Sequence, residues 1–318
     1  MYRQYHRHCT DAGIDGQAEM KLRGAEFGCC AKIVRMPVRI ALVLLPIMSY
    51  GIAAELRVDH VTVAGKDVSA MRQRLAAVGL PSEYGGKHTN RATEMALVSF
   101  PDGSYLELIG VQPDPDPKMV ALHPWAKFLN AVGEPCGWAA REDDLQREVK
   151  RLRAAGVSVE DPTPGARRRP DGVLLQWETA QVGKEGNGAF FPFLIHDVSK
   201  RELRAFPAGK PNAPDLAGVS KIFVGVRDLN SAVDRYRKAY GFAAPKLTDD
   251  TAFGAKLAAF DGTPVVLAAP LDPKGWLAER LARFGEAPCA FVLRRKAGTA
   301  APITWYDASA LGWRLGVE

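Results

Sequence analysis

Two polar residues interrupt short apolar segments of this sequence, and their types suit a metal site or a proton-transfer site. His60 lies in Val-Asp-His-Val-Thr-Val-Ala, residues 58–64, and Glu107 lies in Tyr-Leu-Glu-Leu-Ile-Gly-Val, residues 105–111. His196 ends a third apolar segment. A titratable group on a buried strand costs free energy unless it is paired, hydrogen-bonded or bound to a metal. Two imidazoles and one carboxylate form a facial triad that holds a divalent metal and leaves coordination positions open.

Each of these residues also has a purely structural interpretation. His60 could be a core histidine whose ring nitrogens are both hydrogen-bonded, and Glu107 could pair with an arginine across a cavity. The assignment of His196 depends on the register of its strand, because a slip of one residue turns every side chain to the other face. The sequence leaves these alternatives open.

Other residues are candidates for contacts with a substrate. His88, which precedes Thr-Asn-Arg, is a candidate for proton transfer together with Glu107, although a surface loop position is an alternative. Arginine binds an anionic group through two parallel hydrogen bonds, which makes Arg91 and Arg141 candidates for that role. Aromatic side chains on barrel strands can line an apolar cavity, although they more often belong to the core. The aromatic candidates are Trp138, Trp177, Phe191 and Phe193. We interpret His123 as structural and the triplet Arg167-Arg168-Arg169 as part of a solvated loop.

An internal repeat indicates which elements position these residues. Residues 61–67 resemble residues 222–228, and a helical pattern that ends at a glycine follows each of them. Helices of this kind show apolar residues at a period of 3.6, and Gly-containing turns separate alternating strands. The pattern predicts a βαβββ unit at residues 56–111, 136–197 and 219–269, and a shortened one at 289–318. We expect two homologous halves, 55–205 and 217–318, joined by the Pro-rich linker 206–216.

With the repeat in place, the sequence resembles the vicinal oxygen chelate superfamily, and within it the glyoxalase-like domain group. The resemblance rests on the βαβββ units and on three short motifs, and it covers about residues 56–318. The motifs are Asp59-His60-Val61, Gly85-Gly86-Lys87-His88 and Tyr105-Leu-Glu-Leu-Ile109. The resemblance implies an α+β fold in which paired modules form two half-barrels, each around a cavity. One departure is that a Gly-Thr-x-Asn-like run, common after the His88 position, reads Ala92-Thr93-Glu94-Met95 here.

The resemblance also implies a metal site, because ligands in this superfamily lie on the first and last strands of paired modules. His60, Glu107 and His196 occupy such positions and would hold Fe, Mn, Zn, Ni or Co. In the second half Lys221 stands at the position of His60, so we expect a metal in the first half only. The implied activity is that of a metal-dependent lyase, isomerase or dioxygenase acting on a small oxygen-chelating substrate. The alternative is a metal-free protein that binds or sequesters a small ligand.

The charge pattern argues against a nucleic-acid partner, and the N-terminal sequence indicates where the protein is located. The formal net charge is +6 over 318 residues, without a basic stripe of the kind that binds nucleic acid. Residues 36–54 combine a basic start, an apolar core and a small-residue end, which is typical of a secretory signal peptide. We expect Met36 to be the initiator and the mature protein to be periplasmic or secreted, without stable membrane association. An uncleaved N-terminal membrane anchor is the alternative, and a homodimer stays open.

Overall fold

The computed structural model describes residues 55–296 and 302–318, all within one compact unit. The predicted signal peptide, residues 36–54, lies outside the described residues. The first repeat unit and the helices that follow it have these bounds: β1 (Val58–Ala64), α1 (Val68–Ala77), β2 (Glu83–Lys87), β3 (Thr93–Ser99), β4 (Tyr105–Val111), α2 (Pro117–Ala121) and α3 (Ala126–Leu129). The second unit comprises β5 (Glu134–Arg141), α4 (Leu145–Ala154), β6 (Thr163–Arg168), β7 (Leu174–Ala180) and β8 (Phe193–Asp197), followed by α5 (Arg201–Ala205).

These eight strands form one curled sheet in the order β2-β3-β4-β1-β5-β8-β7-β6. Within each unit the first and last strands pair in parallel, β1 with β4 and β5 with β8. The two units join where β1 pairs with β5 in antiparallel orientation. The three strands predicted to carry ligands, β1, β4 and β8, therefore lie among the four central strands of the sheet.

The second sheet repeats this plan with shorter elements. Its parts are β9 (Leu216–Gly225), α6 (Leu229–Tyr240), β10 (Lys246–Asp250), β11 (Ala255–Ala259), β12 (Val265–Pro270), α7 (Trp276–Phe284), β13 (Ala287–Arg295), β14 (Thr304–Trp305), α8 (Ala308–Leu311) and β15 (Arg314–Val317). The strand order is β10-β11-β12-β9-β13-β15-β14, with β9 and β13 at the centre. The α+β fold of repeated βαβββ modules in two half-barrels is thereby confirmed. The predicted boundary between the halves, 206–216, spans the connection from α5 to the first residue of β9 and stays a proposal.

Local sequence explains why a helix follows the first strand of each of the three complete modules. Asp67, Asp144 and Asp228 precede α1, α4 and α6, and each side chain accepts a hydrogen bond from the backbone N–H three residues later. Such a cap satisfies one of the N–H groups that a helix start leaves without a partner.

Among the described residues, no helix is both long and apolar enough to cross a membrane.

The two faces of the central strands have different roles. Val61 and Val63 of β1 pack into the main hydrophobic core, which also contains Ile222 and Val224 of β9. Because side chains alternate along a strand, His60 and Thr62 face the other side. In the second sheet that face is filled by an apolar cluster. On this side the first sheet borders a cavity that His60 and Glu107 line.

A comparison of paired positions in the two sheets shows how this difference arises. Thr62 lies opposite Glu107 in the first sheet, whereas Phe223 lies opposite Val266 in the second. Phe223 and Val266 both belong to the apolar cluster of the second half. Lys221, at the position matched to His60, forms an ion pair with Glu318. The polar pair Thr62 and Glu107 of the first half is thus replaced by an apolar pair at the matched positions of the second half.

Candidate functional site

A cavity of about 350 Å³ lies on the inner face of the first sheet. Its walls come from strands β1, β3, β4, β6, β7 and β8, from helix α5 and from the loops beside them. The lining residues are His60, His88, Asn90, Met95, Tyr105, Glu107, Ile109, His123, Trp125, Arg167, Trp177, Thr179, Gln181, Asn187, Phe193, Ile195 and Arg204. A volume of this size and a mixture of aromatic and polar walls are typical of a small-molecule site.

His60 is held in one orientation by its neighbours. Its ring stacks on Tyr105 with centroids 4.8 Å apart, and Phe193 meets it edge-on at 5.4 Å. Its Nδ1 lies 2.6 Å from Asp59 Oδ1. Because an ionised carboxylate can only accept, Nδ1 keeps the ring proton and donates a hydrogen bond to Asp59 Oδ1. In the neutral ring, Nε2 then presents a lone pair.

Asp59 is ionised because arginines surround it. Burial by itself raises the pKa of this carboxyl, but the charge of Arg204, the hydrogen bond from His60 and the charge of Arg201 hold it well below 3.8. Arg204 donates to both Asp59 oxygens at 2.9 and 2.8 Å, and Arg201 pairs with Oδ2. Both arginines also bind Asp197 at the end of β8. This network links β1, β8 and α5 and fixes the tautomer of His60.

Glu107 faces His60 across the cavity wall. Its Oε2 lies 3.7 Å from His60 Nε2 and accepts a hydrogen bond of 3.1 Å from Thr62 Oγ1. The side chain is largely buried, with the residue 7% exposed. When the His60 ring is neutral, its Nε2 lone pair and the Glu107 oxygen present two acceptors to the cavity, 3.7 Å apart. Such an arrangement accepts a proton, a substrate O–H or a cation.

Two further histidines lie in the same cavity. Burial, the largest effect, and the charges of Arg167 and His123 lower the pKa of His88 to about 4, although Glu107 acts to raise it. His88 is therefore neutral at physiological pH, and its Nδ1 lies 2.8 Å from Thr93 Oγ1. Burial also lowers the pKa of His123. Both imidazoles can exchange hydrogen bonds with a ligand while carrying no charge.

The structure brings together five of the residues predicted from the sequence. His60, Glu107, His88, Trp177 and Phe193 all line the cavity. They come from β1, β4, the segment after β2, β7 and β8. The inner face of a single curled sheet thus collects residues that are up to 133 positions apart in the sequence, from His60 to Phe193.

Five predicted site residues lie elsewhere, among them Phe191, which is buried in the main hydrophobic core. His196 faces away from the cavity, with Nδ1 2.9 Å from Glu142 O, because Phe193 and Ile195 occupy the inward positions of β8. Trp138 is fully buried in the main core on the opposite face of β5. The side chain of Arg91 is 77% exposed and lies 4.0 Å from Asp116. Arg141 lines a separate surface groove.

The displacement of His196 bears directly on the predicted metal site. In the described part of the chain, no three His, Cys, Asp or Glu side chains are close enough to hold a metal ion together. His60 and Glu107 supply two converging donors, and the cationic Arg167 lines the same cavity. The donor set is thus one short of the three protein ligands that a catalytic site with an open position uses. The residues present do not fit the predicted centre.

Sequence reasoning missed several residues of this site. Asp59 and Arg204 hold His60 in place. His123, interpreted from the sequence as a structural residue, lines the cavity. The triplet interpreted as a solvated loop begins in strand β6, where Arg167 is only 3% exposed. Asp59 stands next to His60, so a buried Asp-His pair was a usable signal. No local signal marks Arg167, since its burial depends on β7 and on Gly85.

Comparison with known proteins agrees with this architecture. A family model described as a glyoxalase-like domain matches residues 58–240. A hypothetical protein from Staphylococcus aureus, 13% identical, superposes with a TM-score of 0.58 over 83% of this chain and 99% of that chain. A triple mutant of 4-hydroxymandelate synthase from Streptomyces coelicolor, 12% identical, superposes with a TM-score of 0.54 over 76% and 72%. Both likenesses concern the fold. No curated protein matches the chain significantly.

Proposed function

This chain belongs to the glyoxalase-like domain family of the vicinal oxygen chelate superfamily, and from that premise we propose that it is a proton-transfer enzyme. Its cavity would bind a small molecule with neighbouring oxygen atoms and remove a proton from it. The observation that carries the proposal is the inward-facing pair of His60 and Glu107, whose Nε2 and Oε2 atoms lie 3.7 Å apart with Asp59 behind the imidazole.

His60 is the base in this proposal. Its Nε2 lone pair takes a proton from a substrate C–H beside a carbonyl group, and the electron pair stays on the substrate as an enolate. The imidazolium that forms is stabilised by the ionised Asp59, to which Nδ1 already donates. A positioned base of this kind contributes about 10²- to 10⁴-fold to a rate. For a 2-hydroxy ketone, transfer of the hydroxyl proton to the enolate oxygen and return of the abstracted proton to the neighbouring carbon would complete an isomerisation.

Glu107 supplies the second acceptor. Its carboxylate, oriented by Thr62 Oγ1 at 3.1 Å, can hold a substrate hydroxyl beside the reacting carbon. Neutral His88, on the same cavity wall, offers a further hydrogen bond. A divalent ion would need a donor that the described residues do not add to His60 and Glu107, so none of these steps uses a metal.

Hydrogen exchange tests the proposal without knowledge of the natural substrate. The protein is incubated in D₂O with a panel of 2-oxoaldehydes, 2-hydroxy ketones and 2-oxo acids, and loss of the C–H signal beside the carbonyl group is followed by proton NMR. We expect exchange with at least one class, and a loss of about 10²-fold or more in His60→Gln and Glu107→Gln. His196→Gln is the matched control, because this histidine lies on the outer face of the same sheet.

Three results would overturn the proposal. Exchange that survives in His60→Gln would remove the assigned base. Binding of panel members without any exchange would favour a protein that sequesters a small ligand. Stoichiometric metal in the purified protein, lost in His60→Gln and kept in His196→Gln, would favour the metal-dependent reaction that the family resemblance implies.

A further inference from the structure

Arg167 is a buried cation for which the described residues provide no anionic partner. The residue is 3% exposed, and its guanidinium makes one hydrogen bond among the described residues, from Nη1 to the carbonyl oxygen of Gly85. The other arginine of the cavity lining, Arg204, is paired with Asp59, and Arg169, two positions along the chain from Arg167, is paired with Asp171. A buried charge without a partner costs free energy, so its position calls for an explanation.

The local structure places this guanidinium against the cavity. Arg167 lies opposite Leu175 in the β6–β7 pair and forms an isolated bridge with His88. Gly85 makes the approach feasible, because a Cβ atom there would lie 3.1 Å from Arg167 Nη1 and 2.0 Å from the Met95 sulfur. Gly85 therefore leaves room for a cation in the cavity wall.

We propose that Arg167 anchors a carboxylate group of the substrate, so that the natural ligand is a small carboxylic acid. An arginine fork matches a planar carboxylate through parallel N–H···O bonds, and such bonds are strong in a site shielded from water. Nη1 is shared with Gly85, and the other N–H groups make no hydrogen bond to the described residues. The proposal rests on the proposed function insofar as both use the same cavity.

Charge determines which way such a ligand lies. Glu107 is the acidic residue of the cavity lining, and its carboxylate repels a second one. The anionic end is therefore held at Arg167, and the end that bears the reacting proton lies at His60 and Glu107. Trp177 and Phe193 in the same wall provide apolar surface for the body of the ligand. Burial lowers the pKa of Arg167, whereas Tyr105 and Glu107 raise it, and a bound carboxylate would stabilise the charged guanidinium further.

Three pairs of small probes that differ in charge and little in shape test this inference. They are acetate and acetamide, pyruvate and pyruvamide, and benzoate and benzamide. Binding to the full chain is measured by calorimetry at low ionic strength. We expect at least one carboxylate to bind about tenfold or more tightly than its amide, which corresponds to about 1.4 kcal/mol. Arg167→Gln should abolish this preference, whereas Arg168→Gln, an exposed neighbour on the same strand, should keep it.

A second variant covers the case in which Arg167→Gln does not fold. Arg167→Lys keeps the charge but not the fork, so it should retain a weakened preference for the carboxylate. Equal binding of acid and amide by the wild type, absence of carboxylate binding, or a preference that survives in folded Arg167→Gln would each overturn the proposal. His60→Gln separates the two hypotheses, because it should stop hydrogen exchange and leave the carboxylate preference intact.

Discussion

Replacement of Asp59 by asparagine tests the network that orients the proposed base. Asp59 is fully buried, and its two oxygens accept from His60 Nδ1 at 2.6 Å and from Arg204 at 2.9 and 2.8 Å. Arg201 also pairs with it. Asparagine keeps the shape of the side chain but has one acceptor oxygen and no charge. Its amide would place a donor against guanidinium donors.

The expected loss of stability follows from the burial of these charges. Removal of one partner from a buried ion pair costs about 3–5 kcal/mol, because the remaining charge stays buried without compensation. Asp197 continues to bind Arg204 at 2.6 Å and Arg201 at 3.0 Å, which places the expected cost near the lower limit, about 3 kcal/mol. For a protein of this size that corresponds to a melting temperature about 6–12 °C lower.

Urea unfolding at pH 7, followed by circular dichroism, measures this loss. Asp143→Asn is the matched control, because Asp143 also pairs with an arginine at 2.8 Å but has a side chain that is 77% exposed. Exposed ion pairs contribute little to stability, so the control should unfold like the wild type. Since the pKa of Asp59 is lowered, its contribution is complete above pH 3.8 and is lost as the pH falls through the folded-state pKa. The charge of Asp59 should therefore contribute less to the stability gap between wild type and Asp59→Asn as the pH falls below 3.8.

Two results would refute this reasoning. An Asp59→Asn variant within about 1 kcal/mol of the wild type would show that the buried pair adds no more than an exposed one. A gap that grows as the pH falls from 5 towards 3 would have the wrong sign, because protonation of Asp59 in the wild type must reduce the difference.

Three shorter predictions concern other parts of the fold. Burial, helped by Glu148, raises the pKa of Glu142 from 4.5 to about 7, so its ionisation destabilises the protein as the pH rises through that range. Urea unfolding should show Glu142→Gln gaining more stability over the wild type at pH 8 than at pH 5, and an equal gain at both would contradict the assignment. Gly188 and Gly172 both have positive φ, but a Cβ at Gly188 would lie 2.3 Å from a backbone oxygen, whereas Gly172 has open space. Gly188→Ala should cost at least about 2 kcal/mol more than Gly172→Ala in the same assay, and equal costs would be inconsistent with the contact. Burial raises the pKa of Cys136 and Cys289, so peptide mass spectrometry should find iodoacetamide on these thiols only after denaturation, and modification of the native protein at pH 8 would argue against their burial.

Much of the fold was predictable because its signals are local. Alternation of apolar residues marks a strand, and an aspartate before a helix satisfies its first N–H groups without help from the rest of the chain. Asp67, Asp144 and Asp228 each make that capping bond. Repetition along the chain then indicated which strands are equivalent. The shortened fourth unit was also expected, and β14 has only two residues.

Part of the site was predictable for a different reason. His60 and Glu107 are polar residues within apolar strands, and such residues need a partner wherever the strands lie. The structure supplies those partners as Asp59 and Thr62. Trp177 and Phe193 also line the cavity. Trp138 lies on the opposite face of β5 and belongs to the main core.

The sequence by itself determined where the strands and helices form and which buried polar groups need a partner. Tertiary structure alone decided which face each group occupies. His196 turns outward because β8 pairs with β5 in the register that places Phe193 opposite Ala139, and side chains of a strand alternate. Arg167 is buried because Gly85, 82 positions earlier in the chain, lets it approach the cavity. Register and close approach are set by contacts between distant segments, and no pattern within one segment contains them.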